Sequence, residues 1–139
     1  MKQTRATIVS NSPLMPGVNL MWLDAPEIAS VAIPGQFVFA RCSDTADPFL
    51  RRPMSIHRIG APDEDEPTKL AILYGVFGSG TGLLSKLTPG QSIDLMGPHG
   101  NGFDIRPESR NLLLVGGGVG ASPLVGMSHR LIAEGRNVM

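Results

Sequence analysis

A chain of 139 residues is enough for one ordinary domain, or for one domain and part of a second. Its twelve Lys+Arg and twelve Asp+Glu cancel, which argues against nucleic acid or an anionic membrane as the dominant partner, because both demand a basic excess. The one cysteine, Cys42, excludes an internal disulfide, a four-cysteine zinc site and a self-contained iron–sulfur cluster. No run approaches the ~20 apolar residues of a membrane span, and the N-terminus lacks a signal-peptide core. A cytoplasmic location is therefore expected.

Short strands separated by turn residues are predicted over the first hundred positions. Residues 5–10, 18–23, 36–41, 53–58, 69–75 and 92–96 are rich in β-branched and other apolar side chains. Asn11-Ser12-Pro13, Pro16-Gly17, Pro34-Gly35, residues 44–48, residues 62–67, Pro89-Gly90 and Gly97-Pro98 punctuate them. Six strands so spaced predict a small antiparallel barrel or sandwich. The acidic run Asp63-Glu64-Asp65-Glu66 between prolines reads as a solvated hairpin loop, since adjacent carboxylates repel and no histidine accompanies them.

After Arg110 the pattern changes. Residues 111–115 (NLLLV) form a continuous apolar strand of the kind buried on both faces. A glycine-rich turn, Gly116-Gly117-Gly118-Val119-Gly120, follows it. A helix over 121–134 carries Leu124, Met127, Leu131 and Ile132 at helical spacing, with Gly135 as its C-terminal cap and a further strand opening at 137–139. Strand, glycine turn, helix and strand make the first unit of a parallel α/β sheet, which cannot bury its own faces. The sequence is thus expected to be a piece of a longer protein, or an unusually short member of its family.

Three segments could carry chemistry. Gly116–Gly120 lets backbone approach a ligand and presents a helix start to a phosphate, or it is a tight turn with no ligand; it departs from the G-x-G-x-x-G fingerprint. Phe77-Gly78-Ser79-Gly80-Thr81-Gly82 offers small residues, a hydroxyl and amides before a short helix over 83–87, whereas an isolated glycine run is more commonly a flexible hairpin connection. Arg51-Arg52-Pro53-Met54-Ser55-Ile56 enters a strand, where Arg52 offers a planar fork for phosphate and Ser55 a donor, or where a solvated arginine pair lies on an edge strand. His57, His99 and His129 are too scattered for metal-ligand spacing, with His129 placed at a surface or interface. Cys42 is expected to pack at a strand end. No catalytic residue and no metal site is assigned.

In order, R-P-M-S (52–55), L-Y-G (73–75), G-S-G-T-G-L-L (78–84), G-P-H-G-N-G-F (97–103) and L-L-V-G-G-G-V-G-A-S-P-L (113–124) resemble the ferredoxin-reductase-like FAD/NAD flavoproteins. The G-P-x-G-N-G-F segment and the aliphatic third position of R-P-M-S resemble, within them, the electron-transfer subunits of dihydroorotate dehydrogenase. The resemblance implies an all-β antiparallel Greek-key barrel that binds FAD, over 1–106. The first β-α unit of an α/β nicotinamide-binding domain would follow, over 110–139. It places Arg52 on the FAD diphosphate, Ser55 on the flavin ring, and Pro53 and Met54 against the isoalloxazine, with Met54 covering the ring where many relatives stack an aromatic. Leu73, Tyr74 and Gly75 would lie along the cofactor and Gly80 and Thr81 would hold the diphosphate, while Gly116, Gly117, Gly118 and Gly120 would face NAD as a half-site.

Relatives of this kind are oxidoreductase components of pyrimidine biosynthesis. They pass electrons from NADH through FAD and a [2Fe–2S] cluster to a separate dihydroorotate dehydrogenase catalytic subunit in a hetero-oligomer. The cluster sits on four C-terminal cysteines that this chain lacks, so the chain alone is expected to be inactive. Two alternatives stand beside this expectation: another flavin/NAD(P)H oxidoreductase subunit, or a non-redox assembly module built on the same barrel.

Overall fold

The computed structural model describes residues 1–45, 48–60 and 66–139. Its strands are β1 (Lys2–Met15), β2 (Val18–Asp24), β3 (Phe37–Ala40), β4 (Arg52–Ile59), β5 (Lys69–Gly75) and β6 (Ser92–His99). They hydrogen-bond in the order β1-β2-β5-β4-β3-β6, and β6 pairs back onto β1 to close a barrel. All six pairings are antiparallel. Period-two patterning builds the interior: Met21 and Leu23 of β2, Met54 and Ile56 of β4, and Ile93 and Leu95 of β6 are buried, and their neighbours face out. Each such side chain withdrawn from water contributes about 1.5–3 kcal/mol, so this inward set is the main source of stability. Two short helices add to the core. Helix α1 (Pro26–Ala29) starts on a proline whose missing N–H costs nothing there and buries Ile28; α2 (Ser79–Leu84) buries Leu84.

Several boundaries differ from the sequence reading. β1 does not stop at Asn11-Ser12-Pro13 but runs on to Met15 with bulges at Ile8/Ser10 and Pro13/Met15, and the chain reverses at Pro16-Gly17. Beyond Ile8, whose N–H and carbonyl still bond Gln91 and Gly90, β1 pairs with β2 alone among the described residues, so Pro13 lies where one side of the strand needs no ladder. Asn11 is a clamp rather than a turn residue: its Nδ2 donates to the carbonyls of Leu84 and Leu87, both at 2.9 Å, and so ties the end of α2 to the barrel. β6 likewise continues through Gly97-Pro98, because a Cβ at Gly97 would lie 2.8 Å from Val38 Cγ1; that glycine serves packing. The short helix predicted over 83–87 begins earlier, inside the glycine-rich segment. The acidic loop expected at 63–66 falls, apart from Glu66, outside the described residues, as does part of the 44–48 turn.

The second unit follows as β7 (Asn111–Leu112), a 3-10 turn (Gly118–Ala121), α3 (Ser122–Ala133) and β8 (Asn137–Val138), with β8 parallel to β7. Helix α3 ends as predicted at Gly135, whose φ of +73° is open to glycine. The Gly135 and Arg136 N–H groups donate to the Ile132 and Leu131 carbonyls, the paired bonds of a Schellman cap. The expectation that 111–115 is buried on both faces is overturned. Leu113 and Val115 are 71% and 81% exposed, because this sheet has two strands and no layer covers that face among the described residues. Helix α3 instead packs on β4 and buries Met127 and Leu131. Gly126 makes that approach possible, since a Cβ there would lie 3.0 Å from the His57 carbonyl oxygen.

Candidate functional site

β4 and β5 are neighbours in the barrel, and the pleat turns Pro53 and Ser55 outward. Arg52, Pro53, Met54, Ser55, Leu73, Tyr74, Gly75 and Thr81 together line one cavity of about 280 Å³, so the start of β4 meets the end of β5 and the glycine-rich segment after it there. Val119 and Ser122, from the second unit, complete its wall.

The adjacent arginines have different fates. Arg51 is committed to the barrel: its Nη2 and Nη1 reach the two carboxylate oxygens of Asp94 at 2.7 and 3.1 Å. Burial pushes the Asp94 carboxyl up, but the hydrogen bonds and charge of Arg51, with Gln3 and Arg41, outweigh it and hold the pKa below the ordinary value. Arg52 donates from Nη1 to the Leu50 carbonyl at 2.7 Å and pairs with no carboxylate among the described residues. Its guanidinium lies on the cavity wall, a planar fork of the kind that suits an anionic ligand. Gly80 packs against it, where a Cβ would lie 3.2 Å from Arg52 Nε and 3.3 Å from Cys42 Sγ. Cys42 itself is buried at the end of β3; burial pushes its thiol up more strongly than Arg52 lowers it, the opposite of an activated nucleophile.

The other expected residues divide by face. Ser55 is exposed, and its hydroxyl has no partner among the described residues. Thr81 Oγ1 accepts the N–H groups of Phe77 at 3.0 Å and Gly78 at 3.3 Å, so this oxygen organises its own loop first. Met54 belongs to the core cluster, is 7% exposed and forms part of the cavity wall. Tyr74 is buried too: its hydroxyl donates to Asn11 Oδ1 at 2.9 Å, and burial pushes its pKa up. Gly75 leaves room for the exposed ring of Phe77, which a Cβ there would strike.

Gly116, Gly117, Gly118 and Gly120 do not line the cavity. Gly116 is a tight packing point, 2.9 Å from Ala121 Cα at its Cβ position, and Gly117, Gly118 and Gly120 border open space. The turn reaches the cavity through Val119 and Ser122, two residues that the glycine pattern did not single out. A larger cavity of about 540 Å³ lies where the barrel meets α3, near Arg58, Gly126 and His129, and contains none of the expected residues. Among the described residues no three His, Cys, Asp or Glu side chains gather for a metal ion, and no helix is long and apolar enough to cross a membrane.

No family model matches the chain. The chain is 41% identical, over 91% of its length, to the dihydroorotate dehydrogenase B (NAD(+)) electron transfer subunit of Desulforamulus reducens, of which it covers 47%. The Bacillus velezensis protein of the same name is 39% identical over 100% of this chain and 54% of its own. The chain thus spans about half the length of the curated relatives it matches. Among solved structures, an NADH-dependent reduced ferredoxin–NADP oxidoreductase superposes with a TM-score of 0.81 at 30% identity, over 96% of this chain and 46% of that one. A Neisseria gonorrhoeae ferredoxin NADP+ reductase with bound FAD and NADP shares the fold, with a TM-score of 0.76 at 20% identity, over 99% and 56%.

Proposed function

Because this chain belongs, over the half of their length that it spans, with the dihydroorotate dehydrogenase B electron-transfer subunits among the ferredoxin-reductase-like flavoproteins, we propose that its barrel binds FAD and relays electrons between NADH and a dihydroorotate dehydrogenase catalytic subunit in pyrimidine synthesis. The observation that carries this reading is the convergence of the R-P-M-S, L-Y-G and G-S-G-T-G blocks on one cavity, with the Arg52 guanidinium, which pairs with no carboxylate among the described residues, on its wall.

The residues fit the group. Arg52 supplies a charge and a donor fork for a diphosphate, Ser55 an exposed hydroxyl donor for a ring heteroatom, and Pro53, Met54 and Leu73 an apolar wall. A volume of about 280 Å³ sits at the lower edge of the ~300–1,000 Å³ typical of ligand pockets and suits a ring system rather than a whole dinucleotide. Bound FAD would supply the electron chemistry, and the chain would supply orientation and electrostatics. Arg52 offsets the diphosphate charge with Thr81 and Gly80 beside it, and Ser55 orients the ring. Val119 and Ser122 shield the cavity from water on the side of the second unit.

The turn over Gly116–Gly120 is proposed as one half of a nicotinamide dinucleotide site. With Cys42 as its one cysteine, the chain holds no [2Fe–2S] ligand set. Any cluster on the electron path lies elsewhere, and the half-length chain by itself binds FAD without completing the transfer.

Fluorescence titration with FAD tests the proposal. Arg52→Ala is expected to weaken binding by ~1–3 kcal/mol, the weight of a hydrogen bond to a charged group. Ser55→Ala is expected to shift the flavin potential in a redox titration and to leave most of the affinity intact. Wild-type protein that takes up no FAD would favour the non-redox assembly module instead.

A further inference from the structure

His57 sits two residues beyond Ser55, at the bulge where β4 slips against β5: Ile56 pairs with Ile72 and Arg58 with Ala71, which leaves His57 as the extra residue. Bulges re-aim side chains and recur beside functional sites. Here the ring is aimed at the second unit, with Nδ1 3.1 Å from the carbonyl oxygen of Ser122 and 3.4 Å from its hydroxyl. A carbonyl only accepts, so Nδ1 carries the hydrogen and His57 is the donor. Ser122 is buried, opens α3 and lines the cavity between β4 and β5. The contact at Gly126 closes the same junction from the other side, on the His57 backbone.

We propose that His57 is a positioning residue: it clamps the start of α3, and with it Val119 and Ser122, against the cavity, so that the second unit forms the cofactor's outer wall. The inference rests on the FAD reading above. The clamp is also responsive to protons. Its ring is half-buried and faces Arg58 on its own strand and His129 on α3, with Arg130 one residue beyond; β5 brings only Ala71 and Ile72 beside the bulge. Burial first, and more weakly Arg58 and His129, hold the imidazole below its ordinary 6.5 against the opposing hydrogen bond to Ser122. A depressed histidine contributes its full stabilisation above the unfolded value and loses it as pH falls through the folded one, so the junction loosens on acidification.

The test combines amide-exchange protection factors for α3 with FAD titration of the same samples, at pH ~7.5 and ~5.5 on either side of the histidine range. His57→Ala is expected to lower α3 protection about tenfold at the higher pH, the weight of one hydrogen bond, and to weaken FAD binding by a similar factor with β5 protection unchanged. His57→Asn, which keeps a donor near Nδ1 and does not titrate, is expected to restore both and to abolish their pH dependence. Unchanged α3 protection in His57→Ala overturns the clamp. Loosened α3 with unaltered FAD affinity overturns the positioning role, and wild-type pH dependence in His57→Asn overturns the proton response. If no form binds FAD, the functional reading fails, and α3 protection alone decides the clamp.

Discussion

Ile72 in the barrel and Leu113 in the unit that follows it occupy equally apolar stretches of sequence, yet Ile72 has no exposed surface and Leu113 keeps 71% of its own. The barrel closes β6 onto β1 and so buries one face of every strand within a single ring of pairings. The second unit pairs two strands of two residues each, and its helix finds burial on the barrel instead, through Met127 and Leu131. Apolar sequence is therefore no measure of burial. What counts is whether the chain supplies a second layer, and for α3 that layer is β4.

The contrast can be broken at several points. Ile72→Ala, in the closed ring, is expected to cost ~2–5 kcal/mol in chemical denaturation, as large-to-small core substitutions do. A loss under 1 kcal/mol would mean that the barrel interior is not the source of stability. Asp94→Asn removes the carboxylate that Arg51 grips and is expected to cost ~1–3 kcal/mol at neutral pH. In the wild type this contribution is fully present above the unfolded carboxyl value of 3.8 and disappears as pH falls through the lower folded value. Acid titration followed by circular dichroism and amide exchange should thus show two steps: α3 loses protection first, through His57, and the barrel follows below pH 3.8. A single concerted loss would show that the two regions share one fate.

Gly126→Val places carbon against the His57 carbonyl and is expected to weaken α3 docking by ~1–3 kcal/mol, typical of overpacking, with the barrel's melting temperature unmoved. Leu113→Ser should change stability by less than about 0.5 kcal/mol, as exposed substitutions do. A larger loss would reveal a covering layer that the exposure of Leu113 denies.

Much of the barrel was legible because period-two burial writes itself into sequence; β5 spans the predicted 69–75. The misread places are those where one local signal served a remote purpose. Asn11 looked like a turn residue and holds the end of α2, and Gly97 looked like a turn and makes room for Val38. In the candidate site, the segments were legible from their order, but the roles within them were not. Adjacent arginines read alike until Asp94, more than forty positions away, claims Arg51, while Arg52 donates to the Leu50 carbonyl and faces the cavity. The side to which Met54 and Tyr74 point depended on strand register. His57 carried one local hint, its place on the same strand face as Ser55, and only the bulge and the arrival of α3 give it a partner.

By itself, then, the sequence determined the strands, the glycine-capped end of α3 and the blocks that meet at the cavity, because these rest on propensity, periodicity and chirality acting within a few residues. Closure of the ring, the division of labour between Arg51 and Arg52, and the seating of α3 on β4 were decided by tertiary structure. Each depends on which distant atoms arrive within hydrogen-bond or van der Waals reach, and spacing along the chain does not encode that distance.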